Sequence, residues 1–205
     1  MGSIPTLDEV EKYIQKIILP DLNRGRASDE QHTLAVVKYL KEILIASNNP
    51  NDDWYVLVIS AYAHDWGYTD LFDDNSNLTL KEIGSQKEKH MMVGSQKIRK
   101  VLSEKFFNFM SNEQKNRCVH LVGVHDKLEV LNDRDELLLM EADTLGGLDP
   151  KIMGIFSTKE SEDRFLQKNK DLRYMKFISD YAKKRYKVLF KERVKFAERN
   201  SKYLN

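Results

Sequence analysis

The scarcity of helix-breaking residues most constrains how this chain can fold. Prolines occupy only positions 5, 20, 50 and 150, and neither proline nor glycine occurs from Ile155 to the last residue. Because these two residue types most often end helices and form tight turns, long helices are favoured. The chain also lacks Asn-Gly or Asp-Gly hairpin turns and any clean run of alternating β-branched residues. The sequence therefore predicts an all-α fold.

Apolar spacing and capping residues place the helices. Ser111 with Gln114 three residues later is a capping-box pattern, and apolar residues recur at helical spacing between the breakers. The predicted helices cover Thr6–Leu19, Ser28 or Asp29 to Asn48, Asp52 to Gly67, Lys89–Lys105, Ser111 to His125, and Asn132 or Asp133 to Leu145. Two segments are predicted to be non-helical, an irregular stretch over Tyr68–Glu88 and a turn from Gly146 to Pro150.

The C-terminal segment is predicted to form one or two long basic helices. Residues 159–205 contain 15 basic and 7 acidic residues, although the whole chain has 33 and 32 and a net charge of +1. The simple interpretation is a solvated helix face, and the alternative is a surface that faces phosphate or nucleic acid. An apolar stripe on this segment is predicted from Met175, Ile178, Ala182, Leu189 and Phe196.

We expect a single domain with three parts. Residues 1–24 form an N-terminal helix that packs on the bundle, residues 25–158 form the core, and residues 159–205 form a helical extension of the same domain. The single cysteine, Cys118, excludes an intrachain disulfide framework and suits a reducing cytoplasm. Neither a signal-peptide core nor a long apolar run is present. We therefore expect a cytoplasmic protein with no membrane partner, and the near-neutral total charge argues against nucleic acid as a partner.

Four of the five histidines stand near predicted helix ends, where side chains from separate helices can converge on one pocket of a bundle. Imidazole and carboxylate ligands without thiolates suit divalent metals. His64 and Asp65 are adjacent, so they point about 100° apart on a helix, and a carboxylate can bridge two ions about 3.5–4 Å apart. Two ions with two carboxylates retain positive charge, which suits a phosphate substrate. The candidate ligands are His32, His64, Asp65, His90, His125 and Asp143.

This ordered set resembles the HD-domain superfamily of metal-dependent phosphohydrolases, which are all-helical. The similar segments are residues 29–37 around His32, residues 63–67 with the His64-Asp65 doublet, residues 90–95, and residues 141–148 around Asp143. Residues 189–196 are similar to the tail of a small bacterial subgroup of single-domain HD hydrolases. A second doublet, His125-Asp126, departs from the family pattern, but the preceding apolar helix and the following Gly67 favour His64-Asp65. His120 has no counterpart and is interpreted as a structural histidine.

The resemblance implies one or two divalent ions, with Mn, Fe, Co, Mg and Zn as candidates. The first ion would take His32, His64, Asp65 and Asp143, and the second would share Asp65 with His90 and His125. A metal-bound hydroxide would then hydrolyse a phosphoester or phosphoanhydride, with nucleotides as the implied small-molecule substrates. Asp65 is the candidate catalytic residue. Candidate phosphate-binding residues, each of which alone reads as a surface charge, are Lys81, Lys87, Lys89, Lys127 and Arg134.

Two other functions use the same ligand set. Di-iron oxygenases of the HD fold, such as myo-inositol oxygenase, have the same ligand order and activate dioxygen. A non-catalytic nucleotide-binding HD module would keep the fold without turnover. Residues 68–88 form either a lid whose lysines close over a phosphate or a solvated connection.

Overall fold

The computed structural model describes residues 4–26, 28–72, 80–154 and 158–200, and within these ranges it is helical with no β-strand. The all-α prediction is confirmed. None of the helices in these ranges is both long and apolar enough to cross a membrane. The described α-helices are α1 Leu7–Leu22, α2 Asp29–Ser47, α3 Trp54–Ala63, α4 Leu80–Ser85, α5 Lys87–Leu102, α6 Asn112–Val124, α7 Arg134–Leu148, α8 Lys159–Lys168 and α9 Asp180–Asn200.

Side-chain caps fix the starts of several helices. Ser111 and Gln114 form the predicted capping box at α6, and Thr6 with Glu9 forms another at α1. At α7, Asp133 accepts from the Glu136 amide while the Glu136 carboxylate accepts from the Asp133 amide. These bonds satisfy amides that have no partner within the helix. The caps therefore set where each helix enters the bundle.

Helix α3 is the centre of the bundle. It is buried from Val56 to Ala63 and packs against α1, α2, α6 and α7. Helices α2 and α7 approach each other closely at Gly146, where a Cβ would lie 3.0 Å from the Val36 Cγ2 atom. This packing brings the ends of several helices to one side of α3, where the candidate ligands lie.

Two helix ends differ from the prediction because packing continues the helices past local helix breakers. Helix α1 continues through Pro20 to Leu22, since the Asn23 amide still bonds to the Leu19 carbonyl and Leu22 is buried. The predicted turn from Gly146 to Pro150 is wrong over its first half, because α7 runs to Leu148. The glycine there serves close packing on α2 rather than a turn.

The third and fourth predicted helices also differ in extent, and the fourth, predicted over Lys89–Lys105, is α5 Lys87–Leu102. Helix α3 ends at Ala63, and a short 3₁₀ turn, Trp66–Asp70, follows it where a continuous helix to Gly67 was predicted. The prediction of an irregular stretch over 68–88 is wrong at both ends, where the 3₁₀ turn, α4 and the start of α5 lie. Residues 73–79 of that stretch lie outside the described residues.

The C-terminal segment folds back on the bundle, as α8, a π-type turn Asn169–Arg173, a 3₁₀ turn Tyr174–Lys176 and the long basic helix α9. Helix α9 packs on α7, and Ala182 and Leu189 are buried as predicted. Met175 and Ile178 precede α9 and are exposed, so the predicted stripe is wrong at those two positions.

Candidate metal centre

The six predicted ligands converge at one end of the bundle. His32 lies in the first turn of α2, His64 and His125 immediately follow α3 and α6, His90 lies in the first turn of α5, and Asp143 lies on α7. The four imidazoles are buried, whereas the Asp65 and Asp143 side chains each keep 14% exposure. Solvent therefore reaches the centre from the side of the carboxylates.

One half of the centre contains His32, His64 and Asp143. The His32 Nε2 atom lies 3.1 Å from the Asp143 Oδ1 atom and 3.3 Å from the His64 Nε2 atom. The same Asp143 oxygen lies 3.8 Å from the His64 Nε2 atom. These three donor atoms enclose a position where a metal ion could be held.

The other half contains His90, His125 and Asp65. The His90 and His125 Nε2 atoms lie 3.3 Å apart. The Asp65 Oδ1 atom lies 3.6 Å from the His90 Nε2 atom and 3.4 Å from the His125 Nε2 atom. This group could also hold a metal ion.

Asp65 joins the two halves, because its two oxygens face different histidines. While Oδ1 faces His90 and His125, the Oδ2 atom lies 3.6 Å from the His64 Nε2 atom and 3.8 Å from the His32 Nε2 atom. A carboxylate in this position can give one oxygen to each of two ions. The two groups could therefore hold two ions that share the Asp65 carboxylate.

The histidine tautomers also favour a cation at the centre. The His64 and His125 Nδ1 atoms lie 2.8 and 2.9 Å from the carbonyls of Ala61 and Val122, and the His90 Nδ1 atom lies 3.4 Å from the Gln86 carbonyl. A ring that donates its Nδ1–H to a carbonyl has a lone pair on Nε2, as metal-ligating histidines do. The lone pairs of His90 and His125 would repel each other at 3.3 Å, and a cation between them removes that repulsion.

The electrostatic surroundings act on the ligands in two ways. Burial opposes a proton on His32 and His125, but the Asp143 and Asp65 carboxylates outweigh it and raise the pKa of both rings, so an ion at the centre competes with protons there. The other ligands are kept in the forms that bind metals. Burial lowers the pKa of His64, and burial together with the adjacent His125 lowers the pKa of His90 to about 4, so both are neutral near pH 7. Burial would raise the pKa of Asp143, but Arg173 and His32 hold it well below its usual range. Neutral imidazoles and ionised carboxylates are the ligand forms of these groups. The residues present therefore fit a pair of divalent ions.

Two arginines that sequence reasoning missed support the ligand carboxylates. The Arg26 guanidinium lies 2.8 Å from Asp29 and 3.5 Å from the Asp65 Oδ2 atom. It also lies over the Tyr68 ring, which is stacked on His90 at 3.9 Å. Arg26 thus contacts the Asp65 carboxylate directly and His90 through Tyr68. The one local sign in the sequence is the spacing of three residues between Arg26 and Asp29, which suits an ion pair but does not point to a metal centre.

The second missed arginine, Arg173, comes from the C-terminal segment. It is buried, its Nη2 atom hydrogen bonds to the Asp143 Oδ2 atom, and its Nη1 atom lies 3.4 Å from the Asp126 Oδ1 atom. Nothing in the local sequence around residue 173 points to the centre, because the contact joins distant parts of the chain. The aspartates of the two His-Asp doublets also have different surroundings, because Asp65 faces the histidines of the centre and Asp126 faces cations.

The predicted phosphate-binding residues are only partly brought to the centre. The Lys87 Nζ atom lies 3.7 Å from Asp126, whereas Lys81 and Lys89 are exposed and Lys127 is half-buried. Arg134 forms a two-pronged ion pair with Asp52. It lies nine residues before Asp143 on α7, which is about 13 Å along the helix.

His120, the remaining histidine, lies outside the centre. Its Nε2 atom is 2.7 Å from the Glu136 Oε1 atom, and with Asp133 these residues form a third group of metal-binding types. Both carboxylates already cap α7, and Arg117 pairs with Asp133. The interpretation of His120 as a structural histidine is consistent with these contacts.

Comparison of the chain with protein-family models, curated proteins and solved structures finds no match.

Proposed function

We propose that this protein is a metal-dependent phosphohydrolase of the HD type that acts on a phosphoester or phosphoanhydride, with nucleotides as the substrate class. The observation that carries the proposal is the position of Asp65, whose two oxygens face two separate groups of ligands. Divalent ions in such a site make water a stronger nucleophile at neutral pH and polarise phosphoryl oxygens. Four imidazoles favour Mn, Fe, Co or Zn over Mg, which prefers oxygen ligands.

The chain's own residues position the ligands and the substrate. The Nδ1 contacts of His64, His90 and His125 orient their Nε2 atoms toward the centre. Arg26 and Arg173 hold the carboxylates of Asp65 and Asp143 in place. The four imidazoles are buried, whereas the two carboxylates are partly exposed. The substrate therefore approaches the centre from the side of the carboxylates.

The charge of the centre supports an anionic substrate. Asp65 and Asp143 neutralise half of the positive charge of two divalent ions, and Arg26 and Arg173 add further positive charge. Asp29 offsets one of the arginines. The excess positive charge matches a phosphate group, which carries about two negative charges near pH 7.

The proposal is tested by metal analysis and a substrate screen. Protein purified without oxygen should contain close to two metal ions per chain, measured by elemental analysis. After loading with Mn, Fe, Co, Mg or Zn in turn, it should release phosphate or pyrophosphate from nucleotides. Oxygen uptake by the Fe-loaded protein with a polyol or an aminophosphonate, without phosphate release, would instead indicate an oxygenase. Nucleotide binding without either reaction would indicate a non-catalytic module.

Two histidine variants provide a matched pair for this test. His125→Ala should lose the ion held with His90 and Asp65 and should lower phosphate release, with helix content unchanged by circular dichroism. His120→Ala changes a histidine five residues earlier, on α6, and should retain both metal and activity. Equal metal content in the two variants would contradict the assignment of His125 as a ligand.

A further inference from the structure

A cluster of three cations lies beside the metal centre on the side of Asp126. The Lys87, Lys168 and Arg173 side chains approach this carboxylate to 3.7, 3.5 and 3.4 Å. They come from three different elements, namely the start of α5, the end of α8 and the π-type turn that follows α8. The C-terminal segment therefore supplies two of the three cations.

Asp126 is a weak counterion for this cluster. Each of the three separations is longer than a charge-assisted hydrogen bond, which is about 2.7–2.9 Å. One carboxylate faces three cations, because the Asp143 carboxylate that also contacts Arg173 belongs to the metal ligands. Since the charge of Arg173 already counts toward the metal centre, the two lysines against Asp126 leave an excess of one positive charge, which favours an anion.

The cluster also has free hydrogen-bonding capacity and access to solvent. The buried Arg173 Nε–H has no hydrogen-bond partner among the described residues, although buried polar groups in proteins are nearly always bonded. Each lysine ammonium has three donors. The Lys87 and Lys168 side chains are 29% and 37% exposed, whereas that of Arg173 is 10% exposed. The two lysines are thus partly open to solvent, whereas the arginine is buried.

The cluster adjoins both halves of the centre. Arg173 bonds to Asp143 of the first half, and Asp126 directly follows His125 of the second. Lys87 lies three residues before His90, about one helical turn along α5. A phosphate next to the one held at the ions would therefore meet these cations.

We infer that Lys87, Lys168 and Arg173 form a second anion subsite, which receives a phosphate adjacent to the one attacked and makes the protein selective for di- and triphosphates over monophosphates. This inference rests on the proposed function, because it takes the two-ion centre as the position of the first phosphate. Asp126 occupies the subsite in the absence of substrate and competes with the phosphate for the three cations.

The test compares two non-hydrolysable probes that differ by one phosphonate, methylenediphosphonate and methylphosphonate. Binding is measured by isothermal titration to Mn-loaded protein, with free Mn²⁺ kept above the probe concentration so that the probe does not remove the ions. The Lys87→Gln/Lys168→Gln variant should bind methylenediphosphonate at least about tenfold more weakly for each lysine removed. Its affinity for methylphosphonate should change by less than about threefold.

Two further variants distinguish a specific subsite from a general effect. Asp126→Asn should bind methylenediphosphonate more tightly, by about threefold or more, because the competing carboxylate is gone, and a disrupted site would not produce that gain. Lys100→Gln/Lys170→Gln, which removes two exposed lysines of α5 and the π-type turn, should match the wild type. Equal weakening of both probes, or no weakening of methylenediphosphonate, in the Lys87→Gln/Lys168→Gln variant would overturn the inference.

The same experiment separates this inference from the proposed function. If the protein releases no phosphate from any nucleotide but shows the probe difference, the subsite stands and the hydrolase proposal fails. If it hydrolyses mono- and triphosphates equally well and the lysine variant binds both probes as the wild type does, the hydrolase proposal stands and the subsite is rejected.

Discussion

Gly67 is the position where one added methyl group should damage the centre most selectively. It lies in the 3₁₀ turn that follows Asp65 and packs directly on the backbone of α5. A Cβ at this position would lie 1.9 Å from the His90 carbonyl oxygen and 2.7 Å from the Gly94 amide nitrogen. Because both contacts are with backbone atoms, no side-chain rotation can relieve them.

The size of the effect of Gly67→Ala follows from these distances. Ordinary contact begins near 3.4 Å, so α5 and the turn must separate by about 1.5 Å. Overpacking of this kind costs about 1–3 kcal/mol and occasionally more, and with two backbone contacts we expect about 3 kcal/mol. For a chain of this size that lowers the melting temperature by about 6–12 °C. Metal–ligand distances tolerate only about 0.2 Å, so the ion held by His90 should be lost.

The assay combines denaturant unfolding of the metal-free chain with elemental analysis of the loaded protein. Metal-free unfolding is needed because bound ions would add their own stabilisation. Gly123→Ala on α6 is the control, since its nearest contact would be the Ser95 Cβ at 3.8 Å. In a helix this change should stabilise by about 0.5–1 kcal/mol. If Gly67→Ala keeps both ions and unfolds like the wild type, the packing of the turn on α5 is refuted.

Three further changes test other parts of the structure. Asp65→Asn should reduce the metal content to one ion at most and lower turnover by at least about 100-fold, since even the mutation of a residue that only supports a metal ligand costs about 10–100-fold. Two retained ions would show that Asp65 is not shared. Arg134→Gln should leave metal content and KM unchanged but lower the free energy of unfolding by about 1 kcal/mol at pH 7. Arg134 lowers the pKa of Asp52 from 3.8. The stabilisation from this ion pair is therefore fully present above pH 3.8 and is lost as the pH falls through the folded-state pKa of Asp52. Urea unfolding of the variant and the wild type should converge in that acidic range. Arg193→Met should destabilise by about 3–5 kcal/mol in urea unfolding, because it removes the guanidinium from the buried Glu162 carboxylate; an effect below about 1 kcal/mol would contradict the buried pair.

The sequence was most informative where local chemistry decides the structure. The end of α2 at Asn48 was predictable because asparagine tolerates the left-handed conformation, and Asn48 has φ 45° there. The start of α6 was predictable because its capping box involves only neighbouring residues. The convergence of the four histidines and two aspartates could be predicted for a similar reason, since they stand near helix ends, where side chains from separate helices meet in a bundle.

Errors arose where tertiary packing overrides a local preference. Gly146 and Gly147 favour a turn in isolation, yet α7 continues through both of them, and the small size of Gly146 lets α7 approach α2. Pro20 likewise removes one amide donor without ending α1, because the burial of Leu22 favours one more turn. Such cases need knowledge of what lies on the other side of the residue, which a single sequence does not contain.

The charge of the C-terminal segment shows why a net charge alone could not separate a solvated face from a phosphate-facing surface. The segment contributes basic residues to three different environments. Arg193 is buried against Glu162 and two backbone carbonyls, Lys168 and Arg173 lie beside Asp126 at the metal centre, and Lys187 is exposed on α9. Of these residues, Lys168 and Arg173 lie beside the metal centre, and they belong to the end of α8 and the turn that follows it rather than to the long helix α9. The position of a cation relative to the nearest carboxylate, and not the total charge of its segment, determines whether it is available to bind an anion.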